Sequence, residues 1–273
     1  MPDTPIAFIG GGNMARSLIA GQVRQGRAPA RLHVAEPQVA LREALTAEFG
    51  VRTYASASEA AAQAGTWVLA VKPQVLRDVC QALQAVAQQQ RPLVVSIAAG
   101  ITSAQLDRWL GGHLPIVRTM PNTPALLGAG VTGLWATAEV SRAQRDLADA
   151  LLATAGRTAW VDDEALMDSV TAVSGSGPAY VFLLAEAMEA AGVAQGLPVD
   201  TARVLVRQTL LGAARMLDEA GEPASTLRQR VTSPGGTTQA AIESFQADGF
   251  EALVARALTA AQRRGQALSA ANE

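Results

Sequence analysis

A glycine-rich turn, Gly10-Gly11-Gly12-Asn13-Met14-Ala15, follows directly on the apolar run Ile6-Ala7-Phe8-Ile9. A buried strand that breaks into G-x-G-x-x-A and then enters a helix leaves a chain few alternatives. The first glycine makes a tight turn, the second admits a pyrophosphate against bare backbone, and Ala15 lets helix and strand approach closely. A helix starting near Met14 aims unpaired N–H groups and partial positive charge at such an anion. Residues Gly10, Gly11, Gly12, Asn13, Met14 and Ala15 are therefore expected to hold the pyrophosphate of a dinucleotide.

The pattern repeats downstream. Leu32–Ala35, Val51–Tyr54, Trp67–Val71, Leu93–Ile97 and Ile116–Arg118 read as short apolar strands, with helical stretches between most of them. Val131–Trp135 and Thr158–Val161 extend the series. Strands alternating with helices predict parallel βαβ units, an α/β doubly wound domain of the Rossmann type over residues 1–162, with ligands at the C-terminal strand ends.

From Asp163 onward the character changes. Alanine and leucine dominate and apolar spacings of three and four replace the strands. Helices are expected near Glu164–Ala172, Pro178–Ala191, Val199–Ala220, Thr237–Gln246 and Phe250–Leu268, making residues 163–273 an all-helical second domain. Its alanine-rich faces suit close helix packing or a subunit interface. Within it, Ser233-Pro234-Gly235-Gly236-Thr237-Thr238 stops one helix and starts another. Glycines that turn backbone amides to one side, followed by a fresh helix N-terminus, make a seat for a small anion such as a carboxylate. The same block also reads as a plain helix–turn–helix connection.

Several strand ends carry further chemistry. Glu36 ends the second strand, where a carboxylate would bond the ribose 2′-hydroxyl and repel a 2′-phosphate; it reads equally as a solvated loop carboxylate beside Pro37. Arg42 could reach back toward it. Ala70-Val71-Lys72-Pro73 closes the fourth strand at the switch point of the sheet. Lys72 is the only lysine among 22 Lys plus Arg, and a compact ammonium there could meet ribose, carboxamide or a substrate anion. Ile97-Ala98-Ala99 ends the fifth strand with small residues suited to a flat ring. Ser174-Gly175-Ser176-Gly177-Pro178 opens a helix with hydroxyls and glycines, Pro178 suiting a first turn. Glu164 is either a helix N-terminal carboxylate or a ligand for a substrate nitrogen.

What is missing also limits the chemistry. The two histidines, His33 and His113, sit in no motif, and no metal-ligand spacing or G-x-S-x-G elbow occurs. Hydride delivery to a C=N bond fits a site with little acid–base machinery, because a protonated imine is already electrophilic. The one cysteine, Cys80, permits no intrachain disulfide and reads as a bystander thiol in a helix. A net charge of −2 without a basic run argues against nucleic acid. No leader is expected in Met1-Pro2-Asp3-Thr4-Pro5, and no apolar run is long enough for a bilayer, so a soluble cytoplasmic protein is expected.

Taken together, GGGNMA, AVKPQ, SIAAGI, RTMPNTP, SGSGPAY and SPGGTT, in this order and spacing, resemble the pyrroline-5-carboxylate reductase family over essentially the whole chain. The resemblance implies reduction of 1-pyrroline-5-carboxylate to L-proline with NADPH or NADH. It implies a helical C-terminal domain that intertwines with a second copy as a homodimer, often assembled further into a decamer. It places Gly10 to Ala15 at the pyrophosphate, Glu36 by the adenosine ribose, and Ala70, Val71, Lys72, Pro73, Ile97, Ala98 and Ala99 on the nicotinamide side. The substrate carboxylate would sit on Gly236, Thr237 and Thr238, with Ser233 of the same turn a further substrate-binding candidate, Glu164 helping to hold the substrate and Ser174 and Gly175 in the block that walls its ring. Thr238, bonding the ring nitrogen, is the implied catalytic group, and Lys72, from its own place at the switch point, is taken as a second catalytic candidate.

Overall fold

The computed structural model describes residues 4–271. Met1, Pro2 and Asp3, part of the segment read above as carrying no leader, lie outside the described residues. The chain forms two compact units, one comprising the residues through Ser176 together with those from Ala260, the other Gly177–Thr259.

The first unit is built on one eight-stranded sheet. Its strands are β1 (Ile6–Ile9), β2 (Leu32–Ala35), β3 (Arg52–Tyr54), β4 (Thr66–Leu69), β5 (Leu93–Ser96), β6 (Ile116–Met120), β7 (Gly130–Ala136) and β8 (Gly156–Trp160), in the spatial order β3-β2-β1-β4-β5-β6-β7-β8. Every residue of β1, β2, β4 and β5 is buried. Strands covered on both faces read as unbroken apolar runs, which is why the sequence marks them so clearly. Helices α1 (Asn13–Arg24), α2 (Val39–Phe49), α3 (Ala57–Ala61), α4 (Pro73–Gln90), α5 (Ser103–Leu110) and α6 (Arg142–Leu152) connect them.

Two apolar clusters back the sheet. One joins Leu69, Trp67 and Val94 to Leu76, Cys80 and Leu83 of α4 and Leu106 and Trp109 of α5. The other joins Phe8, Val34 and Val95 to Leu18 and Ile19 of α1, Leu45 of α2 and Leu151 of α6. The α4 positions 76, 80, 83 and 87 are buried at helical spacing, a stripe that fixes which face meets the sheet. Burial pushes the Cys80 thiol up to about 12, so it stays an inert core group. His33 is also core. It is buried in β2 with Nδ1 2.8 Å from the Tyr54 hydroxyl. Burial, followed by the charges of Arg52 and Arg31, holds its pKa below the usual value.

One expectation of the strand–helix pattern is corrected. β6 and β7 pair antiparallel, whereas all the other neighbours are parallel. Residues 121–129 connect them through a short 3-10 turn, Thr123–Leu127. A parallel return would need a crossover of a dozen or more residues.

The unit boundary also differs from the sequence-based division at 162/163. Residues beyond 163 continue to pack with the sheet: Gly133 of β7 lies against Val170 so closely that an added Cβ would come 2.3 Å from its Cγ1. These residues form a 3-10 turn Glu164–Leu166, α7 (Met167–Val170) and a π-helical turn Thr171–Gly175. The last turns of the C-terminal helix also belong to this unit. Gln105 Nε2 donates to the Ser269 carbonyl at 3.0 Å, and an added Cβ on Gly100 would lie 3.2 Å from Leu268.

The second unit consists of α8 (Gly177–Ala194), α9 (Val199–Glu219), α10 (Ala224–Arg230), α11 (Thr237–Ala247) and the first half of α12 (Phe250–Ala271). α10 lies between the helices expected at Val199–Ala220 and Thr237–Gln246, where none was expected. α8 has no buried residue, and its Phe182 and Leu183 are 67% and 66% exposed. A helix that is apolar all round is stable only when something covers it.

Candidate active site

The sheet register gathers the dinucleotide residues. Ile9 is level with Ala35 on one side and Leu69 on the other, and Leu69 with Ser96 beyond. The loops leaving β1, β2, β4 and β5 therefore start abreast. The backbone continues the pairing for one more residue: Gly10 N donates to Ala35 O at 2.9 Å, Ala70 N to Ile9 O at 2.8 Å, and Ile97 N to Leu69 O at 3.2 Å.

Gly10 has φ +108, and an added Cβ would come 2.7 Å from the Ala70 carbonyl. Both the torsion and the contact with β4's exit require glycine. Gly12 has nothing within 4 Å of such a Cβ and forms the N-cap of α1, which has no side-chain cap. The first amides of α1, from Asn13 through Ala15, are thus left for an outside acceptor, above an open glycine surface. Ala15 is buried against the sheet. These features fit a pyrophosphate.

Beside them, Glu36 is 7% exposed. Its Oε2 accepts from Gly11 N at 3.2 Å and its Oε1 from Gln38 N at 3.0 Å. The reading of a solvated loop carboxylate is thereby replaced by a buried, backbone-anchored one. Arg42 Nη1 donates to the carbonyls of Glu36 and Pro37, both at 2.8 Å. Ala70 and Val71 are half-buried and lead into Lys72, the exposed N-cap of α4, with Pro73 in its first turn. Among the described residues the Lys72 ammonium has no hydrogen-bond or ion-pair partner. Ala98 is buried, with its N–H 3.4 Å from Ser96 Oγ, while Ile97 is half-buried and Ala99 exposed.

Glu164 does not present a free carboxylate. Its Oε1 accepts from Ser103 N at 2.7 Å and from Arg118 Nη1 at 3.1 Å, and its Oε2 accepts from Ser103 Oγ at 2.6 Å. Arg118 Nη2 also lies 3.8 Å from Asp168 Oδ1. Both oxygens of Glu164 are thus engaged in a cluster that ties β6 to the start of α5. Arg118, Ser103 and Asp168 were not recognised as site residues in the sequence. The available signal was an arginine inside the apolar strand Ile116-Val117-Arg118, which cannot be buried without acid partners. Burial, ahead of the opposing Arg118 charge, pushes the Asp168 carboxyl up, and Glu164 adds to the rise.

Ser174 and Gly175 fall in the π-helical turn. The Ser174 hydroxyl donates to Val170 O at 2.9 Å and its carbonyl accepts from Asn122 Nδ2 at 3.1 Å. Gly175 lies against the end of β6, where an added Cβ would meet Met120 Cε at 2.5 Å. Insertions of this kind into a helix recur at functional sites.

The 233–238 turn lies in the second unit. Gly235 takes φ +68, and its N–H donates to Gln239 Oε1 at 2.7 Å. Gly236 is the N-cap of the 11-residue α11 and supplies no side-chain cap. Of the three amides expected to bind an anion, that of Gly236 is already spent on the Ser233 carbonyl at 3.0 Å. Those of Thr237 and Thr238 remain. Among the described residues, the hydroxyls of Ser233, Thr237 and Thr238 have no hydrogen-bond partner.

Residues 164–268 match the family model for pyrroline-5-carboxylate reductase dimerisation, and residues 5–100 match that for NADP oxidoreductase, coenzyme F420-dependent. The chain is 54% identical to the pyrroline-5-carboxylate reductase of Pseudomonas aeruginosa over 265 residues, covering 97% of this chain and 96% of that one. Its structure is similar to a pyrroline-5-carboxylate reductase from Coxiella burnetii, with a TM-score of 0.95 and 41% identity over 98% of this chain and 99% of that one. It is also similar to the Plasmodium falciparum pyrroline carboxylate reductase solved with NADP bound, with a TM-score of 0.85 and 28% identity over 98% and 99% of the two chains.

Proposed function

The chain belongs to the pyrroline-5-carboxylate reductase family and is an NAD(P)H-dependent enzyme reducing 1-pyrroline-5-carboxylate to L-proline, and we propose that its 233–238 turn seats the substrate carboxylate. The observation that carries the proposal is the uncapped N-terminus of α11, flanked by three hydroxyls without partners. A helix start of this kind favours an anion by about 0.3–1 kcal/mol at an exposed site, and hydrogen bonds from amides and hydroxyls add to that.

A nicotinamide dinucleotide held by Gly10 to Ala15, Ala70 to Pro73 and Ile97 to Ala99 would supply a hydride to the imine carbon. The C=N electron pair then moves to nitrogen, which takes one proton. We assign Thr238 to hydrogen-bond that nitrogen, with the proton reaching it through water. The amides of Thr237 and Thr238, with the Ser233 hydroxyl, hold the carboxylate. Lys72, exposed and without a hydrogen-bond or ion-pair partner among the described residues, acts as a compact positive charge toward the dinucleotide. Glu164 acts indirectly. By holding Ser103 it fixes the far end of the segment Ile97–Thr102, whose near end lines the nicotinamide.

Self-association is expected from the dimerisation region and the uncovered apolar faces of the second unit. No helix among the described residues is long and apolar enough to cross a membrane. On the family's footing we further propose a cytoplasmic enzyme whose dimers assemble up to a decamer.

The activity is checked by following oxidation of reduced nicotinamide by absorbance. Oxidation should depend on added 1-pyrroline-5-carboxylate and yield one proline per nucleotide consumed. An absence of turnover with both NADH and NADPH would overturn the assignment.

A further inference from the structure

We propose that this reductase selects NADH over NADPH, and that Glu36 is the residue that selects. The inference builds on the reductase reading and names its coenzyme.

A carboxylate at the end of β2 discriminates only if it cannot swing aside. Here it is held at both oxygens, by the amides of Gly11 and Gln38, and is almost entirely buried. Gly11 also lies close against it, since a Cβ added there would sit 3.3 Å from Glu36 Cβ. The Gly11 bond ties the carboxylate to the loop that binds the pyrophosphate, so its position relative to the adenosine half of the nucleotide is set before binding. Each oxygen keeps a lone pair for a ribose hydroxyl, a charge-assisted bond to NADH. A 2′-phosphate would bring about two negative charges against this fixed one in a poorly hydrated corner.

Arg42 is the nearby cation that could reverse the preference. Its Nη1 is occupied by the carbonyls of Glu36 and Pro37. To turn that nitrogen toward a phosphate it would have to give up both acceptors, which leaves Nε and Nη2 as its only other donors. The arrangement uses Arg42 to brace the Glu36–Pro37 backbone, which strengthens the discrimination.

The test is direct titration of the protein with NADH and with NADPH, read by nucleotide fluorescence or calorimetry, beside turnover with each. NADH should bind at least about tenfold more tightly, a modest outcome for one fixed like charge. In Glu36→Ser the ratio should fall by about tenfold or invert, because NADPH gains while NADH loses its ribose bond. In Arg42→Ala, NADPH affinity should not drop relative to NADH. Equal or tighter NADPH binding by the native protein would overturn the proposal. So would an unchanged ratio in Glu36→Ser, or a selective loss of NADPH binding in Arg42→Ala. Ratios taken within each variant are insensitive to partial loss of folded protein. Selective NADH binding without reduction of 1-pyrroline-5-carboxylate by either coenzyme would instead refute the assigned reaction and leave the coenzyme choice intact.

Discussion

Replacing Thr238 by alanine should lower kcat by between about 10- and 100-fold and leave nucleotide binding unchanged. A hydrogen bond to a group carrying charge contributes about 1.5–3 kcal/mol, and each 1.4 kcal/mol or so on a barrier is about a tenfold change in rate. Thr238 sits in the first turn of α11, where, among the described residues, its amide has no side-chain cap and its hydroxyl no hydrogen-bond partner. Losing the hydroxyl therefore strands nothing in the fold. It should not unfold the helix, since alanine is a better helix former. The amide that holds the carboxylate survives the change, so KM should move less than kcat. Thr238→Ser keeps the hydroxyl and should recover most of the rate. Steady-state kinetics on both variants, with nucleotide titration alongside, decide the matter. Unchanged kcat in the alanine variant would remove Thr238 from the mechanism.

The second large effect is expected at Arg118, and it is one of stability. Arg118→Met should cost up to about 3–5 kcal/mol, because it leaves the half-buried carboxylates of Glu164 and Asp168 without their buried cation. Arg118 has a side chain only 6% exposed, against 22% for Glu164 and 14% for Asp168. For a protein of this size the loss corresponds to a fall in Tm of roughly 6–20 °C. The effect should depend on pH. Burial already holds the Asp168 carboxyl above its ordinary value, and Arg118 is what opposes the rise. In the variant the folded-state value climbs further above the unfolded one. The folded form then binds more protons across that interval, so stability falls as pH rises through it and is recovered on acidification. Thermal melts of both proteins from mildly acidic to neutral pH should diverge as pH rises. Parallel curves would mean that the cluster does not hold the fold. Ser103 loses its anchor if Glu164 moves, so weaker nucleotide binding should accompany the loss of stability.

The two halves of the chain differed in how far their sequence disclosed them. The buried strands β1, β2, β4 and β5 were legible because burial on both faces requires unbroken apolar runs, and the glycine turn after β1 because only glycine tolerates the torsion at Gly10. The long helices α8, α9, α11 and α12 were legible from spacing. α10 was not, since seven residues give too few turns for a period to show. The antiparallel return of β7 was hidden because strand direction depends on connection length and not on the strand's own residues. The least legible feature was the Arg118–Glu164–Ser103 cluster, whose members stand 46 and 61 residues apart. Nothing local records such a pairing. Only the cost of burying Arg118 alone hints that partners must exist. Glu164 was picked out for its chemistry, as a helix N-terminal carboxylate or a substrate ligand, but sequence shows only that a carboxylate is present and not that Ser103 and Arg118 engage it. The amide of Gly236 shows the same limit at the substrate turn, where a local turn bond consumed a donor that the motif had left open.

A crystal structure of the enzyme with L-proline and a nicotinamide dinucleotide bound tests the substrate seat most directly. The carboxylate oxygens should lie within hydrogen-bond distance of the amides of Thr237 and Thr238, and the ring nitrogen within that distance of Thr238 Oγ1. Proline bound away from residues 233–238, with that turn contacting only solvent, would contradict it.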